Sequence, residues 1–164
     1  MKAILILYDI ILILLIPFYL ASLIWKNKFS REVFERLRAL DKRVLEEISG
    51  REVIWVHAVS LGEVSTCKSL IKKLGLRYPQ RVILITTITA TGRMLARSIS
   101  RDNILSLYMP FDLSFLINPF IRKIKPKLLI LLETELWPNL LYFSQRYKIP
   151  TVVLNARLSD RSFA

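Results

Sequence analysis

Apolar positions fall along this chain in three regimes. From Ala3 to Trp25 they are nearly continuous, interrupted by Asp9, Pro17 and a few small or aromatic polar groups. About 20 such residues suffice to cross a hydrocarbon core, so 1–25 is expected to be one membrane-anchor helix. From Phe29 to Ile48, Val33, Phe34, Leu37, Leu40, Val44, Leu45 and Ile48 recur among charges at the spacing of one helix face. That predicts an amphipathic basic linker helix within 26–50, ended by Ser49-Gly50. From Arg51 onward, short apolar runs alternate with helical periodicity: strands at 52–57, 82–87, 104–108, 127–132 and 151–154, helices at 63–74, 91–99, 113–123 and 137–147. Such alternation means βαβ units with right-handed crossovers, so the fold class is α/β with an open parallel sheet over 51–164. Roughly 110 residues are enough for one small core and too few for two.

The first regime carries two features foreign to a simple span. Asp9 would cost about 2.5 to 3.5 kcal/mol at a bilayer centre, less nearer an end, and Pro17 bends a helix. A cleaved signal peptide is disfavoured because Tyr19-Leu20-Ala21-Ser22-Leu23-Ile24-Trp25 is a poor cleavage site after an overlong apolar run. A helix lying in the interface is the other alternative. Lys2 alone precedes the segment while Lys26, Lys28, Arg31, Arg36 and Arg38 follow it, which by the positive-inside rule places the rest in the cytoplasm. The expected location is therefore the inner membrane, with a single-pass anchor.

Composition sharpens this picture. Hydrophobic residues make up 53% and mean hydropathy is +0.40, as a membrane segment requires. Net charge is +12, which leaves nucleic acid and anionic lipid as partner classes. Basic residues beside an anchor gain about 1 kcal/mol each from anionic headgroups, and no nucleic-acid motif accompanies them. An anionic membrane surface is expected as a partner and nucleic acid is not. The single cysteine, Cys67, fits a reducing compartment and reads as core. No nucleotide-binding glycine fingerprint and no set of three ligands at metal spacing occurs, so neither metal nor cofactor is expected.

Polar residues gather where the strands should end. The first end offers His57, Ser60, Gly62 and Glu63; the second Thr86, Thr87, Thr89, Thr91, Gly92 and Arg93. The third offers Tyr108 to Asp112, the fourth Glu133-Thr134-Glu135-Leu136-Trp137-Pro138-Asn139, and the fifth Asn155-Ala156-Arg157. Ligands of open α/β sheets bind outside these ends, and this set suits a sugar and its phosphates. Glu63 is the candidate base, though Ser60-x-x-Glu63 is equally a capping box, and a helix N-terminus lowers carboxylate basicity unless an apolar or anionic neighbour offsets it. Thr91, Gly92 and Arg93 at a helix start can hold an anion. His57 is either a hydrogen-bonded core residue or a proton carrier.

These strings resemble the amino-terminal half of the 3-deoxy-D-manno-octulosonic acid (Kdo) transferases. The likeness runs through Trp55-Val56-His57-Ala58-Val59-Ser60-Leu61-Gly62-Glu63, Thr86 to Gly92, Pro110-Phe111-Asp112-Leu113, Lys125-Pro126-Lys127, Glu133 to Leu140 and Asn155-Ala156-Arg157-Leu158-Ser159, in order. It implies a Rossmann-like amino-terminal half of a GT-B inverting glycosyltransferase that moves Kdo from CMP-Kdo to a lipid A precursor in lipopolysaccharide biosynthesis. On that resemblance Glu63 is the general base and Glu133 a second acidic residue of the cleft. Ser60, Gly62, Thr91, Gly92, Arg93, Glu133, Asn155 and Arg157 are expected to bind substrate. The family's linker pattern of Arg, a bulky residue and Gly is replaced by Arg36-Leu37-Arg38. The donor-binding second domain is expected to lie outside these residues. That leaves a noncatalytic module holding the lipid A precursor or a partner, and a nucleotide-sugar enzyme of other specificity, as the competing readings.

Overall fold

The computed structural model describes residues 2–25, 31–38, 40, 42–133 and 135–156. Helix α1 (Lys2–Trp25) is followed by α2 (Arg31–Arg38) and α3 (Lys42–Ile48), and then strands and helices alternate. They are β1 (Val53–His57), α4 (Leu61–Arg77), β2 (Val82–Thr87), α5 (Ala90–Ser98), β3 (Ile104–Tyr108), α6 (Ser114–Ile124), β4 (Pro126–Leu132), α7 (Pro138–Arg146) and β5 (Thr151–Leu154). All four strand pairings are parallel, in the order β3-β2-β1-β4-β5. The chain winds outward from β1 to β3 and then returns to β1's other side to place β4. A crevice therefore opens between the carboxyl ends of β1 and β4, at the topological switch point.

Burial on both faces explains why the strands read as continuous apolar runs. Val53 and Trp55 of β1 point into one core with Leu84, Leu129, Phe120 and Phe143, under α6 and α7. Ile54 and Val56 point into the other with Ile85, Ile130, Val64 and Ile71, under α4 and α5. Cys67 lies in this second core, where burial pushes its thiol up to about 12. It is a packing residue, since only the thiolate is reactive.

The expected single linker helix is two helices among the described residues. α2 buries Val33 and Arg36, the latter donating to the Met109 carbonyl at 3.0 Å with its guanidinium 4.0 Å above the Phe111 ring, while α3 buries Ile48 in the α6 core. α2 lies against β3 and α3 against α6. Phe34 and Leu37, expected on the apolar face, are exposed.

α1 is helical as expected, and Asp9 has a role the pattern did not reveal. Its Oδ1 accepts from the Ser114 amide at 3.2 Å and from Asn139 Nδ2 at 2.8 Å, so α1 lies against the start of α6 and α7. Leu5 is buried on that side, while Ile4, Leu7, Ile11, Leu14, Leu15 and Phe18 are exposed. Among the described residues no helix is long and apolar enough to cross a membrane.

Candidate active site

Glu63 is held at the mouth of the switch-point crevice by the start of α4. Ser60, extended at φ −118° and ψ 170°, caps the helix: its Oγ accepts from the Glu63 amide at 3.4 Å and donates to Glu63 Oε1 at 2.8 Å. Oε1 also accepts from the Ser60 amide at 3.2 Å, and Oε2 from the Val59 amide at 2.7 Å. The capping box is therefore real, and it fixes the carboxylate in one place. Glu63 is also 5% exposed, and its pKa is raised, chiefly by burial, with Glu135 and Glu133 adding negative charge nearby. Amide hydrogen bonds pull the other way and do not prevail. Burial and the anionic neighbours thus outweigh the helix terminus at a residue that also completes the cap.

The second strand end is sewn to the first. The Val59 carbonyl accepts from the amides of Ile88 at 3.0 Å and Thr89 at 3.2 Å. Thr89 caps α5, its Oγ1 accepting from the Gly92 amide at 3.1 Å. Gly92 packs so close to α4 that a Cβ would lie 3.1 Å from the Ser60 carbonyl carbon. Two helix N-termini therefore stand side by side at the crevice, their first amides lacking intrahelical acceptors, a setting that favours anions. Thr91 and Gly62 are exposed there.

Arg93 turns away from this group. It is 7% exposed, donates through Nη1 to Ser106 Oγ and lies over the Tyr108 ring, so its guanidinium faces the β3 edge. Glu133 follows β4 with φ 59°, a left-handed conformation that costs a residue with a Cβ about 1 kcal/mol or more. Its amide is tied to the Leu154 carbonyl at 2.8 Å. Asn155 follows β5 with φ 59° and is exposed. Arg157 and Thr134 lie outside the described residues.

Four further residues from the strand ends, Glu135, Trp137, His57 and Asp112, shape the site by packing and capping. Glu135 accepts from Trp137 Nε1 at 2.9 Å, and Trp137 meets the His57 ring edge-on at 5.3 Å. His57 is wholly buried, with Nδ1 2.9 Å from Thr86 Oγ1, an oxygen that also accepts from Trp55 Nε1 at 2.8 Å. Burial lowers its pKa to about 4, so it is a neutral core residue rather than a proton carrier at neutral pH. Asp112 caps α7 from another loop: Oδ2 accepts from the Asn139 amide at 3.0 Å and Oδ1 from the Leu140 amide at 2.9 Å. Pro138 at the first helical position was the one local sign of that helix start. Among the described residues no group of three or more His, Cys, Asp or Glu could hold a metal ion.

The five-stranded parallel sheet, with a buried carboxylate at its switch point flanked by two further glutamates, is an open α/β domain. Residues 31–164 match the family model described as 3-deoxy-D-manno-octulosonic-acid transferase (kdotransferase), and the chain belongs to that family. It is 44% identical over 109 residues to the 3-deoxy-D-manno-octulosonic acid transferase of Haemophilus influenzae, covering 66% of this chain and 26% of that protein. It is 37% identical over 129 residues to a bifunctional glycosyltransferase/methyltransferase of Fusobacterium nucleatum, covering 76% and 20% respectively. A third relative, the 3-deoxy-D-manno-octulosonic acid transferase of Rickettsia felis, is 31% identical over 122 residues, 74% of this chain and 26% of its own length. The chain thus spans about a quarter or less of these curated relatives.

Proposed function

We propose that this chain is the acceptor-side half of a GT-B inverting glycosyltransferase that moves Kdo from CMP-Kdo to a lipid A precursor in lipopolysaccharide biosynthesis. The observation that carries the reading is Glu63: immobilised by three donors, buried, and raised in pKa beside two further glutamates. In the proposed step Glu63 takes the proton from an acceptor sugar hydroxyl as that oxygen bonds to the anomeric carbon, and CMP leaves with the electron pair. Ser60 holds the base in place. Gly62, Thr91 and Gly92 line the paired helix starts that would receive the acceptor, and Glu133 and Asn155 face it from the ends of β4 and β5. A donor domain following this chain would supply the nucleotide-sugar site.

The test is Glu63→Gln in the chain joined to a donor domain. Glutamine has no basic oxygen, so turnover falls about 100-fold or more; its single acceptor oxygen can keep the Ser60 donors while its NH2 faces the Val59 amide, so a stability loss of about 1 to 2 kcal/mol accompanies it. In the wild type the acid limb of kcat/KM lies above the ordinary carboxylate range, following the raised Glu63 pKa. Turnover within about threefold of wild type in Glu63→Gln would remove Glu63 as the base.

The same reading makes α1 an inner-membrane anchor with the sheet on the cytoplasmic side. Its exposed apolar side chains and the basic residues that follow it support this, together with the placement of Asp9 against the domain rather than toward lipid.

A further inference from the structure

The start of α7 is a junction of three helices and a loop, centred on Asn139. This residue is wholly buried, and its Nδ2 donates to Asp9 Oδ1 of α1 at 2.8 Å and to the Asp112 carbonyl at 2.6 Å. Its Oδ1 accepts from Ser114 Oγ of α6 at 2.8 Å, and its amide donates to Asp112 Oδ2 at 3.0 Å. The Tyr8 hydroxyl of α1 donates to the same Asp112 carboxylate. The first turn of α7 is thus located by α1, by α6 and by the loop after β3, in a buried polar network where each partner fixes the next.

What α7 carries into the crevice is the acidic segment ahead of it. Pro138 has its φ locked by its ring, and the Trp137 carbonyl accepts from the Leu141 amide at 2.9 Å, so both residues move with Asn139. Trp137 sets its ring against His57 and holds Glu135 Oε2 through Nε1. At the other end of the segment the Glu133 amide is tied to the Leu154 carbonyl. Glu135 and Glu133 are the two carboxylates whose charge acts on Glu63. We propose that Asp9 is a positioning residue for the crevice: by holding Asn139, α1 fixes the Trp137–Glu135 pair beside Glu63. The proposal rests on the reading of Glu63 as the base and deepens it, because it couples transfer to the docking of α1. With α1 lifted from α7, Glu135 is free to turn to solvent and Glu63 becomes a weaker base.

The experiment is a pH titration of Glu63 in the full chain in detergent, by carbon NMR of side-chain-labelled glutamate, the resonance being assigned by its loss in Glu63→Gln. Asp9→Ala and Asp9→Asn both remove the charge, but only asparagine keeps an acceptor oxygen for the Ser114 amide and Asn139, so the pair separates position from charge. The Glu63 midpoint should move down by about 0.5 pH or more in Asp9→Ala and stay within about 0.2 pH of wild type in Asp9→Asn. Trp137→Phe keeps a ring against His57 and removes the Nε1 donor; it should lower the midpoint likewise, and it carries the test if Asp9→Ala loses a cooperative thermal melt. In the chain joined to a donor domain, the acid limb of kcat/KM should follow the midpoint. An unchanged midpoint in Asp9→Ala and Trp137→Phe, or equal midpoints in Asp9→Ala and Asp9→Asn, would overturn the inference. A midpoint that moves while the acid limb stays would uphold the positioning and remove Glu63 as the base.

Discussion

The carboxylate of Glu63 is pulled in two directions by its surroundings. The box with Ser60 holds the carboxylate by amide and hydroxyl donors, each of which favours the charged form, while burial and the charges of Glu135 and Glu133 favour the neutral one. His57 and Asp112 carry opposite shifts with a measurable consequence. His57 falls from 6.5 to about 4, so the unfolded chain binds more proton between those values and stability rises with pH there. Asp112 rises from 3.8 to about 6, mainly through burial, so the folded chain binds more proton and stability falls across that window. Glu63 is shifted in the same direction as Asp112. The slopes largely cancel in the wild type. In His57→Gln, stability from urea unfolding should fall from pH 4 to 6, and in Asp112→Asn it should rise from pH 4 to 6.5. Parallel profiles in both variants would show that neither group titrates as described.

At the scale of elements, the site depends on helix starts more than on strands. α4 and α5 cap themselves with Ser60 and Thr89, whereas α6 and α7 have no side-chain cap of their own. They take one from elsewhere in the chain, α6 from Asp9 and α7 from Asp112. Gly92 lies close against the start of α4, where the two self-capped helices meet. In Gly92→Ala the added Cβ would lie 2.9 Å from Thr89 Oγ1 and 3.1 Å from Ser60 backbone, so α5 must move away. A loss of about 1 to 3 kcal/mol in urea unfolding is expected. Gly62→Ala meets only Ser60 Oγ at 3.8 Å and should be neutral or slightly stabilising. Equal behaviour of the two variants would mean that the α4–α5 contact does not hold the site.

For the whole molecule, α1 is part of the folded unit as well as the proposed anchor. Asp9 reaches across more than a hundred residues to the Ser114 amide and Asn139, beside the loops that lead into the crevice. Asp9→Ala leaves that amide without its acceptor and takes one of two acceptors from Asn139 Nδ2, which still donates to the Asp112 carbonyl, and should cost about 1 to 2 kcal/mol. Phe18→Ala, on the exposed face, should cost almost nothing in detergent. Urea unfolding of both variants in the same detergent checks this, and an unaffected Asp9→Ala would mean that α1 does not dock on the domain.

The sequence by itself determined the α/β alternation, because a strand buried on both faces must be an apolar run and a helix over it must repeat at 3.6 residues. It also determined the Ser60–Glu63 pairing, since a capping box is local, and the family, through strings such as Glu133 to Leu140 that survive in order. Local patterning alone places Arg93 at the crevice because it begins a helix, and reads 29–48 as one helix because its periodicity continues. Tertiary structure decided that Arg93 faces the β3 edge and that α2 and α3 pack on different neighbours. It also decided the strand order that brings Glu133 and Glu135 into the field of Glu63, and the docking of Asp9 that turns a misfit in an apolar helix into a cap. Each of these depends on partners tens of residues away, and periodicity carries information only about neighbours within a turn or two.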